Sequence, residues 1–177
     1  EVGGFDGLGF LLEQGYRSKI ALLPDGGDVV NRLISKEKGL VRINLSVKGK
    51  AAHGSRTWLG VSANNIMLDT LQKIRTLFPK IEDHPDDHWV PTLNIGVVRG
   101  GTSYNAVSDW AESELDIRFT EHEKLDDIVA EIKSVLPEIM KMEVHPYSHG
   151  LAIPTDDPAV QTYLNVIREH GREPSFF

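Results

Sequence analysis

Apolar and polar residues alternate from Leu40 onward: Val41, Ile43, Leu45 and Val47 interleave with Arg42, Asn44, Ser46 and Lys48, the period of a half-buried strand with one wet face. The period then changes. Ala63, Met67, Leu71, Ile74 and Phe78 recur at helical spacing, with Ser62 as N-cap and Pro79 as a stop. Lys80 to Trp89 is rich in Asp, His and Pro and reads as a solvated loop. Leu93, Ile95 and Val97 alternate again up to Arg99-Gly100-Gly101, and Leu115, Ile117 and Phe119 alternate against Glu114, Asp116 and Arg118. Leu125, Ile128, Val129, Ile132 and Leu136 form a second helical stripe closed by Pro137, and Met140 to His145 reads as a last strand.

The predicted order over Leu40 to His145 is β-α-β-β-α-β, the ferredoxin-like, split β-α-β arrangement: an antiparallel four-stranded sheet with two helices on one face. Such a sheet has an open edge, which invites pairing with a second copy; the sequence leaves open which strand forms that edge, with the segment entering His53 and the first helix as the leading candidates. Outside this α+β unit the pattern is that of α/β pieces. Phe5 to Gln14 reads as a short helix ended by Gly15, and Lys19 to Leu23 as a buried strand before Pro24-Asp25-Gly26-Gly27. Asp157-Pro158 supplies an N-cap and first residue for a helix to about His170, with Gly171 as its stop. The expected organisation is therefore a complete small domain at 39–148, inserted between pieces of a truncated α/β domain at 1–38 and 149–177.

Composition narrows the function classes. A net charge of −7 and a pI near 5.5 disfavour nucleic acid and anionic membranes as partners. With no cysteine, a metal must be held by His, Asp or Glu. No apolar run approaches the ~20 residues of a membrane helix and no signal peptide is visible, so the cytoplasm is the expected compartment. The chain begins at Glu1 rather than Met and is expected to be a fragment.

The candidate chemistry lies mostly in loops. His53 sits among Ala52, Gly54 and Ser55 between a strand and a helix, where the scaffold can aim a side chain at a ligand. Asp25 lies past a strand's carboxyl end, where open α/β sheets place ligand groups, although the commoner role of Asp before Gly is that of a turn former. His84 and His88 are four apart, but Pro85 lies between them, which favours a solvated turn over a metal site. Arg118 is open to two readings, a carboxylate-binding guanidinium or a cross-strand partner for Glu112 or Glu114. Asn105 is a ligand-orienting amide or an Asx-turn residue, and Gly100 and Gly101 can serve simply by adopting positive φ.

Several stretches together resemble one enzyme family. They are E-V-G-G-F-D-G-L-G-F-L-L at the start, the P-D-G-G loop, K-G-K-A-A-H-G-S, G-G-T-S-Y-N-A-V-S-D and D-I-R-F. In this order they are similar to the zinc amidohydrolases that include aminoacylases, acetylornithine deacetylase, succinyl-diaminopimelate desuccinylase, glutamate carboxypeptidase and bacterial di- and tripeptidases. The resemblance implies two zinc ions in the parent enzyme, with cobalt or manganese as substitutes, and a homodimer formed through this lid domain. It makes Glu1 and Asp25 metal ligands, with the general base just before Glu1 and the other ligands upstream and downstream. It makes His53 a catalytic residue that reaches the partner's site and hydrogen-bonds the substrate carbonyl, a role for an oxyanion donor completed by lid closure. Arg118 then grips the substrate carboxylate and Asn105, with Gly101 in its loop, orients the same end. Where many relatives carry a proline after the histidine loop and N-A-I into the helix, this chain has Thr57 and Ser62-Ala63-Asn64, which bears on subgroup and thus on substrate. The expected parent cleaves an amide next to a free carboxylate, in N-acyl amino acids or short peptides. With two metal carboxylates only, this chain alone is expected to be inactive and to hold no stoichiometric zinc. The alternative is a stand-alone ferredoxin-like ligand-binding or regulatory module.

Overall fold

The computed structural model describes residues 7, 9–21, 31–79, 83 and 88–176. They fall into two compact units, one of 1–34 with 154–177 and the other of 35–153. The division lies a few residues outside the expected 39–148, because the short strands that flank the sheet pair with each other and stay with it.

In the first unit, α1 (Phe10–Glu13) is the α-helical part among the described residues of the stretch expected to be helical from Phe5 to Gln14, and Gly15 follows it at φ +88°. The expected strand at Lys19 to Leu23 is not seen in its described part, where Lys19, Ile20 and Ala21 lie in no strand. Consistent with that, Ile20 is 54% exposed, so no burial rewards an extended pairing there. The first unit also contains β1 (Arg32–Leu33).

The second unit opens with β2 (Lys36–Glu37) and β3 (Gly39–Lys48). After β4 (Ala52–His53) and a 3₁₀ segment at Gly54–Leu59 comes α2 (Ala63–Arg75). Then follow β5 (Thr92–Gly100), β6 (Ala106–Val107), β7 (Trp110–Phe119), α3 (Leu125–Ser134) and β8 (Met140–Ser148). A last strand, β9 (Leu151–Ala152), runs antiparallel to β2. Back in the first unit are α4 (Pro158–Glu169), capped by Asp157 as expected, and β10 (Ser175–Phe176), which pairs in parallel with β1.

The main sheet has the order β5-β7-β3-β8, and every neighbouring pair is antiparallel. This is the order that a split β-α-β unit requires, since α2 carries the chain from β3 past β7 to β5 and α3 from β7 past β3 to β8. The alternation read from the sequence holds: Val41, Ile43, Leu45 and Val47 of β3 and Leu115 and Ile117 of β7 are at most 2% exposed. They pack with Met67, Leu71 and Ile74 of α2 and Ile128 and Ile132 of α3 in one core. One expectation is corrected by this order. The strand that leads toward His53 is β3, which is paired on both sides, so the open edges are β5 and β8. A strand already hydrogen-bonded on both sides has no backbone groups to offer a second copy.

The two edges differ. β8 carries Lys141, Glu143 and His145 and, near its end, Pro146, which has no N–H to donate, all devices that discourage strand addition. By contrast β5 reads T-L-N-I-G-V-V-R-G, with Leu93, Ile95, Val97 and Val98 apolar, and is free of proline and lysine.

Candidate functional site

The loops at one end of the sheet converge. β4 and β6 form a two-residue antiparallel ribbon, with Ala52 opposite Val107 and His53 opposite Ala106. Gly54 N–H donates to the Asn105 carbonyl at 2.7 Å, an approach so close that a Cβ on Gly54 would lie 3.0 Å from that oxygen. The fold therefore brings together His53, Asn105 and Gly101 of the residues expected at the site.

The His53 ring has a defined orientation. Its Nδ1 accepts the Ser55 backbone N–H at 3.2 Å and lies 2.8 Å from the Ser55 hydroxyl. A backbone N–H can only donate, so the neutral ring carries its proton on Nε2, away from the loop. Asn105 Oδ1 accepts the Ser103 hydroxyl, which leaves the amide N–H groups as its outward donors. This bond to a neighbouring side chain replaces the backbone Asx bond that a simple turn residue would make. Both donors are solvent-facing, since His53 and Asn105 are exposed.

The base of these loops is rigid. Gly101 adopts φ +70°, the conformation that favours glycine, and its N–H donates to Trp110 O at 3.1 Å. Gly100 has no positive φ, and the constraint there is steric: a Cβ would meet Asn64 Oδ1 first, at 2.0 Å, and Ala111 Cβ and the Trp110 carbonyl at 3.0 Å. The sequence suggests only backbone freedom at this position, because the first obstacle belongs to a residue 36 positions away. The first turn of α2 is fixed by Ser62 Oγ, which accepts Asn65 N–H at 3.3 Å, and by Ser108, whose carbonyl and hydroxyl accept the N–H groups of Ala63 and Asn64 at 2.9 and 2.8 Å. Between this turn and the loop lies a cleft of about 330 Å³ lined by Asn64, Thr102, Ser103, Tyr104 and Ser108.

Arg118 is elsewhere. It faces Leu40 and Thr92 at the other end of β7, on the exposed face of the sheet. Eight residues of strand separate it from Trp110, which at about 3.3 Å per residue is about 26 Å. Its guanidinium donates from Nε and Nη2 to the two oxygens of Asp116, at 2.7 and 3.3 Å. Of the acids considered from the sequence, Glu114 instead pairs with Arg99 at 3.6 Å. Glu112 and Glu114 lie on Arg118's own strand, so neither can be its cross-strand partner.

The metal candidates Glu1, Asp25 and His84 lie outside the described residues. Among the described residues no group of three or more His, Asp or Glu side chains is placed to hold a metal ion. Among the same residues, no helix is long and apolar enough to cross a membrane.

Comparison with known proteins interprets the convergent end. The family described as "Peptidase dimerisation domain", of the M20 peptidases, matches residues 35–142, well over half of the chain. The chain belongs to this family. The matched span coincides closely with the unit that holds the four-stranded sheet, and it does not favour a stand-alone regulatory module. A probable carboxypeptidase from Talaromyces marneffei is 38% identical over 108 residues, 55% of this chain and 23% of that protein. A probable carboxypeptidase from Aspergillus clavatus is 30% identical over 154 residues, 80% of this chain and 36% of that protein. Among solved structures, a tripeptidase from Staphylococcus aureus superposes with a TM-score of 0.73 at 22% identity, covering 86% of this chain and 41% of that one. An M20 family metallo-carboxypeptidase from Sulfolobus solfataricus gives 0.64 at 14% identity, covering 81% and 46%. The peptidase dimerisation domain and its flanks thus span less than half the length of these relatives.

Proposed function

We propose that this chain is the dimer-forming, substrate-clamping part of a di-zinc hydrolase that cleaves an amide bond next to a free carboxylate, in N-acyl amino acids or short peptides. What supports it most is the pair of outward donors, His53 Nε2–H and the Asn105 amide, set side by side on a rigid ribbon. Such a pair suits a carbonyl oxygen that gains negative charge as the amide is attacked. Arg118 suits the carboxylate. Asp116 occupies its Nε side, which leaves the opposite edge of the guanidinium for a second, bidentate partner.

The two ends cannot serve one small substrate within a single protomer, because about 26 Å of strand lies between them. A two-fold axis normal to the sheet and beside β5 removes this obstacle. It pairs β5 with its own copy in antiparallel fashion and reverses the partner, so that the His53 end of one protomer lies alongside the Arg118 end of the other. Across the joined sheet β7 and its copy are three strand spacings apart, about 14 Å, a gap that loops and an arginine side chain can close around a substrate. The homodimer is then part of the active site.

Mixing two inactive variants of the full-length protein tests this. His53→Ala and Arg118→Ala homodimers are each expected to be inactive. Random exchange makes half the dimers mixed, each with one site that has both groups, so about a quarter of wild-type activity returns. A mixture as inactive as its parents would show that the two residues act in the same protomer or not at all.

A further inference from the structure

We infer that Asn64, in the first turn of α2, is a positioning residue for Asn105, a role that rests on the reading of Asn105 as a substrate-facing donor. The observation is steric. The Asn64 amide occupies the volume that the missing Gly100 side chain leaves, with its Oδ1 2.0 Å from where a Cβ would stand, and its Nδ2 lies 3.5 Å from the corresponding point on Gly101. Side chain and glycine pair thus fill one space between them.

This space is the root of the loop that carries Asn105. The loop leaves the sheet at Gly100-Gly101 and rejoins it through Ser108, and Ser108 is also the residue whose hydroxyl and carbonyl cap the Asn64 and Ala63 N–H groups. Asn64 accordingly touches the outgoing limb through its side chain and the returning limb through its backbone. The far side of the loop is held by Gly54 N–H on Asn105 O and by the short ribbon with His53. Removing the amide opens the root toward the adjoining cleft, and the loop can then settle inward without breaking the β4–β6 ribbon. A displacement of about 1 Å in a substrate-orienting group is enough to cost up to about 100-fold in rate. Because α2 lies over β7 and β5, the same contact ties the substrate loop to the helix beside the proposed dimer edge.

The alternative is that Asn64 contributes only to the stability of α2. Four variants of the full chain separate the two roles. In Asn64→Ala the backbone amide resonance of Gly54 and the side-chain amide resonance of Asn105 are expected to shift, while those of core residues such as Ile43 and Leu115 stay in place. In Asn64→Asp, which preserves the volume, the wild-type positions are expected to return. Gly100→Ala is expected to disturb the same resonances by driving the loop off Asn64, and adding Asn64→Ala to it should undo part of that disturbance. In the full-length protein, Asn64→Ala should lower kcat/KM at least about 10-fold and Asn64→Asp much less. Unmoved Asn105 and Gly54 resonances in Asn64→Ala, or disturbances that add in the double variant, would overturn the inference whatever the activity. Shifted resonances with unaltered kcat/KM would instead leave Asn64 in its role and remove Asn105 from substrate binding.

Discussion

Substituting Val98 with aspartate is expected to dissolve the homodimer while leaving the domain folded. Val98 is aligned with Ser113 of β7, a core-facing position, yet at the open edge of the sheet it is 50% exposed. Leu68 on α2 is also left open, at 58%. A two-fold beside β5 brings the partner's α2 against both. Full burial of a valine side chain contributes roughly 1.5 kcal/mol or more, and about half of that remains to be gained at Val98. Counted in both protomers it comes to about 1.5 kcal/mol, or about a tenfold change in Kd, before any cost of the charge. An unpaired carboxylate in that position adds several-fold more at each copy, so the dimer Kd should rise about 100-fold or beyond. Sedimentation equilibrium from micromolar to about 100 µM chain measures it, with the circular dichroism melt as the check on folding. Glu143→Lys on the opposite edge should leave Kd unchanged. A Val98→Asp protein that dimerises normally, or a Glu143→Lys protein that does not, would move the interface away from β5.

Three further outcomes follow from particular contacts. Ser62→Ala removes the acceptor for Asn65 N–H and should destabilise the domain by about 1 kcal/mol, seen as a lowered midpoint in urea with an unchanged slope. Glu121 is held below its ordinary value of 4.5 by a hydrogen bond from its own backbone N–H and by the Trp89 indole N–H, against some opposition from burial, with His122 and Lys36 adding to the lowering. A depressed carboxylate stabilises the fold above its unfolded value and ceases to do so as pH falls through the lowered one. The thermal midpoint should thus drop on acidification below about pH 4.5, and Glu121→Gln should weaken that part of the dependence; identical acid profiles would count against it. In the full-length protein, Arg118→Lys should raise KM by about tenfold or more, since an ammonium cannot bind a carboxylate in two places. Equal turnover of a substrate whose carboxylate is amidated would remove Arg118 from that role.

The sheet, both of its helices and the boundary residues Ser62 and Asp157 were legible in the chain, because their signals are local: period-two alternation over Val41 to Val47, a helical stripe from Ala63 to Ile74, an oxygen side chain at each helix start. The failures are of another kind. Lys19 to Leu23 has the apolar content of a buried strand, but a short run of that sort extends only where something covers it, and Ile20 is uncovered in the structure. Placing the segment before His53 at the sheet edge failed because strand order is a property of the whole topology: β3 is first in sequence and third in space. Arg118 resembled a cross-strand ion-pair residue by type, while its actual partner, Asp116, stands two residues along on the same face. Gly100 gave no local sign that Asn64 is the first group a side chain there would meet.

The same distinction bears on the site. From sequence, His53, Asn105 and Arg118 form a single group within one small domain, and nothing in their spacing separates them. Thirteen positions divide Asn105 from Arg118, a distance that a hairpin folds to nothing and a strand stretches to the length of the domain. Here most of them are strand. With β7 continuous from Trp110 to Phe119, no rotation of side chains returns Arg118 to the His53 end, and flexing a paired central strand would break hydrogen bonds to β3 and β5 together. If all three residues contact one substrate, two copies must do so jointly, and only an interface that reverses strand direction puts the required ends side by side. Antiparallel addition at β5 does this, whereas a parallel arrangement would align His53 with the partner's His53. The activity of mixed dimers and the effect of Val98→Asp are therefore linked: a substitution that separates the protomers should abolish turnover to the same extent that it abolishes the dimer, at every protein concentration. Turnover that persists in a monomeric Val98→Asp enzyme would mean that Arg118 does not share a substrate with His53.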